Sequence, residues 1–231
     1  MNELLWFLML LANFGAILLL YRMLGKTGLY LWVPIAIVVA NIQVLKTISL
    51  FGVTTTLGNI VYATTFLVTD ILSENYGKRH ARYAVFIGFF SLIVVTILMN
   101  LALLFKPAPS DFAQEALNTI FGFMPRIVVA SLSAYWLSQL HDVWAYHLWK
   151  RWFPETRFIW LRNNASTMVS QLIDTAVFTF MAYLGVFEFD VVIQILWTTY
   201  LMKWLVAAAD TPLVYIAKRW QVESRAGKIE I

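Results

Sequence analysis

Five charged side chains interrupt long apolar stretches of this 231-residue chain: Asp70, Asp142, Asp174, Lys203 and Asp210. A charge at the centre of a bilayer costs about 2.5–3.5 kcal/mol unless it faces protein or water. Carboxylates, amides and hydroxyls that share such an interior can hold a polar solute by accepting and donating hydrogen bonds. We therefore predict a membrane protein whose function lies in its polar interior.

Other polar side chains recur at helical spacing around these charges. Two sets have spacings of three and four residues, which place each set on one helix face. They are Asn164, Thr167, Gln171 and Asp174 in one stretch, and Ser131, Tyr135, Ser138 and Asp142, with Gln139 beside them, in another. Lys203 and Asp210 lie two turns apart, about 10 Å along a helix axis. Asp70 and Glu74 are four residues apart, and a further apolar stretch contains Asn41.

Two interpretations of these faces remain open. The polar groups can pair with one another between helices and only support packing, and Asp70 with Glu74 can lie at the cytoplasmic interface. Alternatively, the faces line a cavity, because four helices carry more polarity than packing requires. Amides and carboxylates with aromatic neighbours suit a flat heterocycle such as a purine, although amino acids and polyols use similar groups.

The elements that must position these side chains are membrane helices. The chain is 61% hydrophobic and 13% charged, whereas soluble domains carry about 25% charged residues. Most of the apolar stretches approach the ~20 residues that cross a bilayer. We predict an all-α polytopic membrane helix bundle with about seven transmembrane helices in one transmembrane domain, residues 1–231. The predicted spans are Leu4–Leu24, Leu29–Leu50, Gly58–Ser73, Tyr83–Phe105, Ile127–Leu148, Ala165–Phe187 and Val191–Ala217.

The segment Lys106–Pro125 is the exception among the short connections. Asp111 and Gln114 have the spacing of a capping box, and apolar residues then recur at helical intervals. We predict a short amphipathic helix at the membrane surface.

The basic residues alternate between the two sides of these spans. The loops after the first, third and fifth spans and the C-terminal tail carry thirteen Lys and Arg residues, and the opposite loops carry only Lys106 and Arg126. Positive residues favour the cytoplasmic side. We therefore predict an external N-terminus and a cytoplasmic C-terminus. The pI of 9.3 reflects this topology, and we expect no nucleic-acid partner.

An intramembrane enzyme is the rival class of function. His141, Asp142 and His147 are the residues that would suggest a metal or a general base. Residues six apart lie about 120° apart around a helix, however, so the two histidines would face different directions. The chain has no HExxH or GxSxG motif and no cysteine. We expect no enzyme, no metal site and no cofactor.

The run TTTLGNIVYATTFLVTDILSENYGK, Thr54 to Lys78, resembles the signature of the queuosine precursor transporters, also called vitamin uptake transporters. This signature has a Thr-Asp pair ending a helix, then an acidic residue and Tyr-Gly. Three more stretches are similar to the family: RIVVASLSAYWLSQLHD from Arg126, NASTMVSQLIDT from Asn164, and Tyr200 through Pro212. The resemblance covers Ala40 to about Lys218.

This resemblance implies import of a 7-deazaguanine, either 7-cyano-7-deazaguanine or 7-aminomethyl-7-deazaguanine, across the bacterial inner membrane. It also implies a fold like the substrate-binding subunits of energy-coupling-factor importers, in which small residues on an outer helix face dock a partner; Ala36 and Ala40 have such spacing. The family core would be residues 28–218, with an extra N-terminal span in 1–27 and a cytoplasmic tail in 219–231. The implied substrate-binding residues are Asn41, Asp70, Gln139, Asn164, Gln171, Asp174 and Lys203. Other expected cavity residues are Glu74, Arg126, Asp142 and Asp210.

Several alternatives remain open at this point. The substrate can be another small heterocycle or vitamin, carried as the substrate-binding subunit of an ATP-driven importer. The energy source can be facilitated diffusion with metabolic trapping, proton coupling or a separate ATP-driven module. An energising partner and a homo-oligomer are both compatible with the sequence.

Overall fold

Helices make up most of the protein. The computed structural model describes residues 1–152 and 159–225, and only the backbone of residues 142, 143, 146, 147, 149, 150, 159–167, 207, 208, 211 and 225. The elements are α1 (Asn2–Leu24), α2 (Lys26–Gln43), β1 (Thr47–Leu50), β2 (Val53–Thr56), α3 (Asn59–Tyr76), α4 (Lys78–Leu103), α5 (Gln114–Phe121), α6 (Met124–Trp152), α7 (Ile159–Tyr183) and α8 (Phe189–Arg225). The predicted all-α fold class is confirmed.

Several helices are long and apolar enough to cross a membrane. Within the described residues these stretches are Asn2–Leu24, Lys78–Leu103, Gln114–His141 and Phe189–Val206, and Met168–Tyr183 is a shorter apolar stretch. Each of the seven predicted spans overlaps one of the helices α1–α4 and α6–α8, and α5 is the additional short helix. The protein is therefore a multi-pass helical membrane protein. Helices α2 and α3 are not among the stretches that are long and apolar enough to cross a membrane, so the number of seven spans stays a prediction.

The prediction of an unbroken second span, Leu29–Leu50, is wrong at its C-terminal end. Helix α2 ends at Gln43, and β1 pairs antiparallel with β2 so that Thr47 faces Thr56 and Leu50 faces Val53. The two turn residues have positive φ, 52° at Phe51 and 80° at Gly52, as in the type I′ turns that favour two-residue hairpins. Hydropathy does not detect this turn, because the hairpin residues are nearly as apolar as the helix before them.

The start of α1 holds this hairpin. The Asn2 side-chain amide donates a hydrogen bond to the Ser49 carbonyl oxygen at 2.8 Å. The Phe51 backbone N–H donates to a Glu3 carboxylate oxygen at 3.2 Å. These bonds satisfy hairpin groups that the two-stranded ladder leaves open.

The predicted capping box forms only in part. The Asp111 carboxylate accepts a hydrogen bond from the Gln114 N–H at 3.0 Å, as expected for the start of α5. The Gln114 side chain does not return the bond to Asp111. It donates instead to the Leu103 carbonyl oxygen at 3.2 Å, because that acceptor at the end of α4 has no helical partner of its own. At the other end of α5, the Asn100 amide donates to the Phe121 carbonyl at 3.0 Å.

The chain divides into two compact units. The first comprises residues 1–124 and 201–231, and the second comprises Pro125–Tyr200. In the first unit α2 packs against α1, α3 and α4. A Cβ atom on Gly88 would overlap the Ile37 side chain, so glycine allows α4 to approach α2 closely. Ala36 and Ala40 are each 1% exposed and pack with Val61. They do not present the small-residue docking face that their spacing suggested, since internal packing covers them.

A hydrogen-bond network joins α1, α3 and the end of α8 within the first unit. The Asn75 amide donates to the Tyr21 hydroxyl at 2.8 Å and to the Ala217 carbonyl oxygen at 3.3 Å. The Tyr21 and Tyr76 hydroxyls both donate to the Gln221 side-chain oxygen, at 3.1 Å and 3.0 Å. We call this set, Tyr21, Asn75, Tyr76 and Gln221, the tyrosine network.

Candidate functional site

The first unit contains an acidic cavity of about 430 Å³. Two helices build it by regular spacing, because residues four apart share a helix face. Helix α3 contributes Asp70 and Glu74, and α8 contributes Asp210 and Lys218. The complete lining is Asp70, Ser73, Glu74, Asp210, Val214, Tyr215 and Lys218. Three carboxylates and one amine therefore line the same cavity.

The carboxylates of the acidic cavity have different surroundings. Glu74 is exposed, and one of its oxygens lies 2.6 Å from the Lys218 amine. Asp70 is also exposed. Asp210 is only 2% exposed, and its Oδ2 atom has no hydrogen-bond partner among the described side chains. Buried polar atoms nearly always have a partner, so the Asp210 Oδ2 atom is a buried acceptor of this cavity that the described side chains leave unsatisfied.

Lys203 and Asn41 lie in the same unit but not in the lining of the acidic cavity. Lys203 is 7% exposed, and its amine lies 5.8 Å from the centre of the Tyr62 ring. This geometry is that of a cation–π contact, which stabilises a desolvated amine. Asn41 is 5% exposed, and its amide donates to the Ile37 carbonyl one turn earlier at 2.7 Å.

The second unit brings together polar residues of α6 and α7. An Asp174 carboxylate oxygen lies 3.5 Å from the Ser138 hydroxyl, which is the donor. Gln171, one turn before Asp174 on α7, has a buried side-chain oxygen without a hydrogen-bond partner among the described residues. We call Ser138, Gln171 and Asp174 the Asp174 cluster. Among these groups, the Gln171 oxygen is an acceptor that a ligand N–H group could satisfy.

The adjacent turn of α6 and α7 contains a further polar pair. The His141 ring Nδ1 lies 3.0 Å from the Ser170 hydroxyl. The sequence suggested His141 only as part of a candidate metal or general-base site, and it did not single out Ser170. The signal was present in the spacing, since Ser170 lies four residues before Asp174 and His141 three residues after Ser138.

Two other candidate residues have a less direct relation to these sites, and two have side chains outside the described residues. Gln139 is exposed on α6. Arg126 donates from Nε to the Met181 carbonyl at 2.8 Å and from Nη2 to the Leu184 carbonyl at 2.6 Å. It therefore caps the C-terminal end of α7, where carbonyl groups lack helical partners. The side chains of Asn164 and Asp142 lie outside the described residues.

Comparisons with known proteins identify relatives over most of the chain. Residues 56–217 match the family described as "Putative vitamin uptake transporter". A Bacillus subtilis (strain 168) protein named "Probable queuosine precursor transporter" is 47% identical over 218 residues, 94% of this chain and 95% of that protein. The Escherichia coli (strain K12) "Queuosine precursor transporter" is 30% identical over 144 residues, 62% of each chain. No solved structure matches this chain.

The family match identifies the class of the protein. It extends from the end of β2 to α8 and includes Asp70, Gln171, Asp174, Lys203 and Asp210. Family membership also decides between the two classes that the sequence left open, transporter and intramembrane enzyme. The chain belongs to the vitamin uptake transporter family, and it is a transporter rather than an enzyme.

Proposed function

We propose that this protein imports a queuosine precursor, either 7-cyano-7-deazaguanine or 7-aminomethyl-7-deazaguanine. The observation that carries this proposal is the 47% identity, over 94% of the chain, with a protein named as a probable queuosine precursor transporter. The multi-pass helical fold and the buried acceptor groups are compatible with it. A deazaguanine presents several N–H groups on one edge of a flat ring, so carboxylate and amide oxygens are suitable partners.

The Asp174 cluster supports a substrate-binding role within the second unit. The unpartnered Gln171 oxygen is costly while it remains buried and unsatisfied, and a ligand N–H would remove that cost. Asp174 would accept hydrogen bonds from the ring N–H and the exocyclic amine. Gln139 and Asn164 remain proposed contacts from the same two helices. In the first unit Asn41, Asp70 and Lys203 remain proposed contacts.

Uptake in whole cells tests the proposed substrate. Cells unable to synthesise queuosine and lacking their own precursor transporter would express this chain and receive each base separately. We expect queuosine to appear in transfer RNA with at least one base at limiting external concentration. Guanine serves as the comparison solute in a parallel uptake assay, since it has a nitrogen at ring position 7 and therefore no cyano or aminomethyl group there. If neither base restores queuosine although the protein is present in the membrane, the proposed substrate is wrong.

We also propose a bacterial inner-membrane location with the C-terminus in the cytoplasm. The support is the alternation of basic residues, which continues in the structure as Lys218, Arg219 and Arg225 at the end of α8. A reporter enzyme that works only in the cytoplasm should be active when fused after residue 231. A reporter enzyme that works only after export should be inactive when it is fused at the same position. An inactive cytoplasmic reporter together with an active exported one would refute this orientation.

A further inference from the structure

Asp210 is buried in a position where an isolated negative charge is costly. It lies inside the 37-residue helix α8, is 2% exposed, and has an oxygen without a partner among the described side chains. Burying an ionised carboxylate without a counter-charge is far more costly than burying its neutral form. The site must therefore neutralise Asp210, and the cavity that it lines is where the neutralising species would arrive.

The cationic side chains nearby are already engaged elsewhere. The Lys218 amine lies 2.6 Å from Glu74, and it also contacts the Glu74 carbonyl oxygen at 3.4 Å. Lys203 lies two turns before Asp210, about 10 Å along the helix, and its amine faces the Tyr62 ring. Neither amine is positioned as the counter-ion of Asp210. Asp70, across the same cavity, adds a second negative group rather than compensation.

The available oxygen atoms favour a proton over a metal ion. A divalent cation takes six or more oxygen ligands in a closed shell. Among the described residues, no group of three His, Cys, Asp or Glu side chains converges in that way. Glu74 is held by Lys218, so Asp70 and Asp210 are the two carboxyls left for the ligand. Asp70 and Asp210 line the same cavity, and two carboxyl groups in one site cannot easily be ionised together.

We propose that Asp70 and Asp210 form a proton-binding site, and that a proton moves through it to the cytoplasm together with each imported base. The proton would come from the external water, reside on the carboxyl pair during the transport cycle and leave to the cytoplasmic water. This inference rests on the proposed import function and supplies its energy source. Protonation removes the charge on Asp210, so it would favour the conformations in which this residue is most buried.

The remaining titratable groups of the cavity would modulate the site. Glu74 and Asp70 come from α3, and Lys218 and Tyr215 come from α8. The other helices that pack on α3, namely α1, α2 and α4, contribute no titratable side chain to the cavity lining. The pH response of transport should therefore depend chiefly on the carboxyl pair.

Proteoliposomes containing the purified full-length protein separate this inference from the import function. Exchange of labelled 7-aminomethyl- or 7-cyano-7-deazaguanine between lumen and bath needs no energy source and tests import itself. Proton influx, followed with a pH-sensitive dye in the lumen, and accumulation of the base under an acid-outside gradient test the inference. We expect the wild-type protein to show all three. Exchange without proton influx or gradient-driven accumulation would overturn the inference while leaving the import function intact, and so would accumulation driven only by a sodium gradient.

Substitutions then assign the proton to the carboxyl pair. Asp210→Asn should remove the proton influx linked to the base and make the exchange rate insensitive to pH. Asp70→Asn should lower the number of protons that enter per base taken up, a ratio that a weaker affinity for the base leaves unchanged, and because Asp70 is exposed it serves if Asp210→Asn does not fold. Glu223→Gln is the control, since Glu223 pairs with Arg219 one turn away on α8 and lies outside the cavity lining; it should keep the wild-type pH profile. Unchanged proton influx and pH dependence in both aspartate variants would overturn the proposal.

Discussion

The two units of this transporter contain aspartates in opposite environments. Asp174 in the second unit is partly buried and accepts a hydrogen bond from Ser138 at 3.5 Å. Asp210 in the first unit is 2% exposed and has an oxygen without a described partner. Both lie on apolar helices and looked equivalent by sequence. The two residues therefore differ in the hydrogen bonds that the surrounding side chains offer to their carboxyl oxygens.

This contrast suggests a division of roles between the two aspartates. The Asp174 cluster would recognise the substrate, and the acidic cavity would respond to protons. Four substitutions test the two units separately.

Asp174→Asn should reduce uptake at limiting substrate by more than about tenfold, because a hydrogen bond to a charged group contributes about 1.5–3 kcal/mol. Membrane expression should remain close to that of the wild type, since the substitution keeps the size of the side chain. Initial uptake rates at several base concentrations, normalised to protein in the membrane, measure this. Asp190→Asn, an exposed position in the first turn of α8, is the matched control. Normal transport by the Asp174 variant would remove this residue from the substrate site.

Tyr62→Leu should lower the free energy of unfolding by about 2 kcal/mol, since it removes the aromatic face beside a buried amine. Tyr62→Phe keeps the ring and should retain most of the stability. The thermal midpoint of the detergent-purified protein distinguishes the two variants. Equal midpoints would mean that Lys203 does not depend on the ring, and that the first unit stabilises this charge by other contacts.

Gln171→Leu should weaken substrate binding by roughly fivefold, the value of about one neutral hydrogen bond. The thermal midpoint without substrate should stay the same or rise, because the variant removes a buried acceptor that has no described partner. Equilibrium binding and thermal melting of the same preparation give both values. Loss of stability together with unchanged binding would show that Gln171 supports packing instead.

Glu74→Gln should change stability by less than about 1 kcal/mol, since an exposed ion pair contributes little. This variant leaves the exposed Asp70 and the buried Asp210 unchanged. A thermal midpoint and a pH profile of uptake near those of the wild type would show that neither property depends on the total negative charge of the cavity. The pH dependence would then be assigned to the Asp70–Asp210 pair. A shifted pH profile would instead place Glu74 in the proton site.

Sequence reasoning predicted the helical elements well and the local interruptions poorly. Continuous apolar stretches indicate membrane helices because the bilayer requires them, so α4 and α8 were expected near their actual positions. The hairpin at Phe51 and Gly52 was not expected, because its turn depends on two positive φ angles that hydropathy does not reflect. The second half of the capping box failed for a similar reason, since the acceptor at Leu103 comes from another helix.

The same limit applies to the candidate site. Spacing correctly placed Asp70 and Glu74 on one face of α3, where both line the acidic cavity. Spacing could not show that Lys218 would pair with Glu74 while one Asp210 oxygen would have no partner among the described side chains. Those outcomes depend on which residues of α8 lie opposite α3. The spacing of polar residues within one helix does not predict which residues of another helix it will contact.

The tyrosine network has a consequence for engineering chimeric transporters. Tyr21 and Gln221 both lie outside residues 56–217, the segment that the family shares, yet each hydrogen-bonds to the other and to α3. An exchange of either terminus alone would leave buried hydroxyl or amide groups without their partners. The two ends of the chain should therefore be exchanged together.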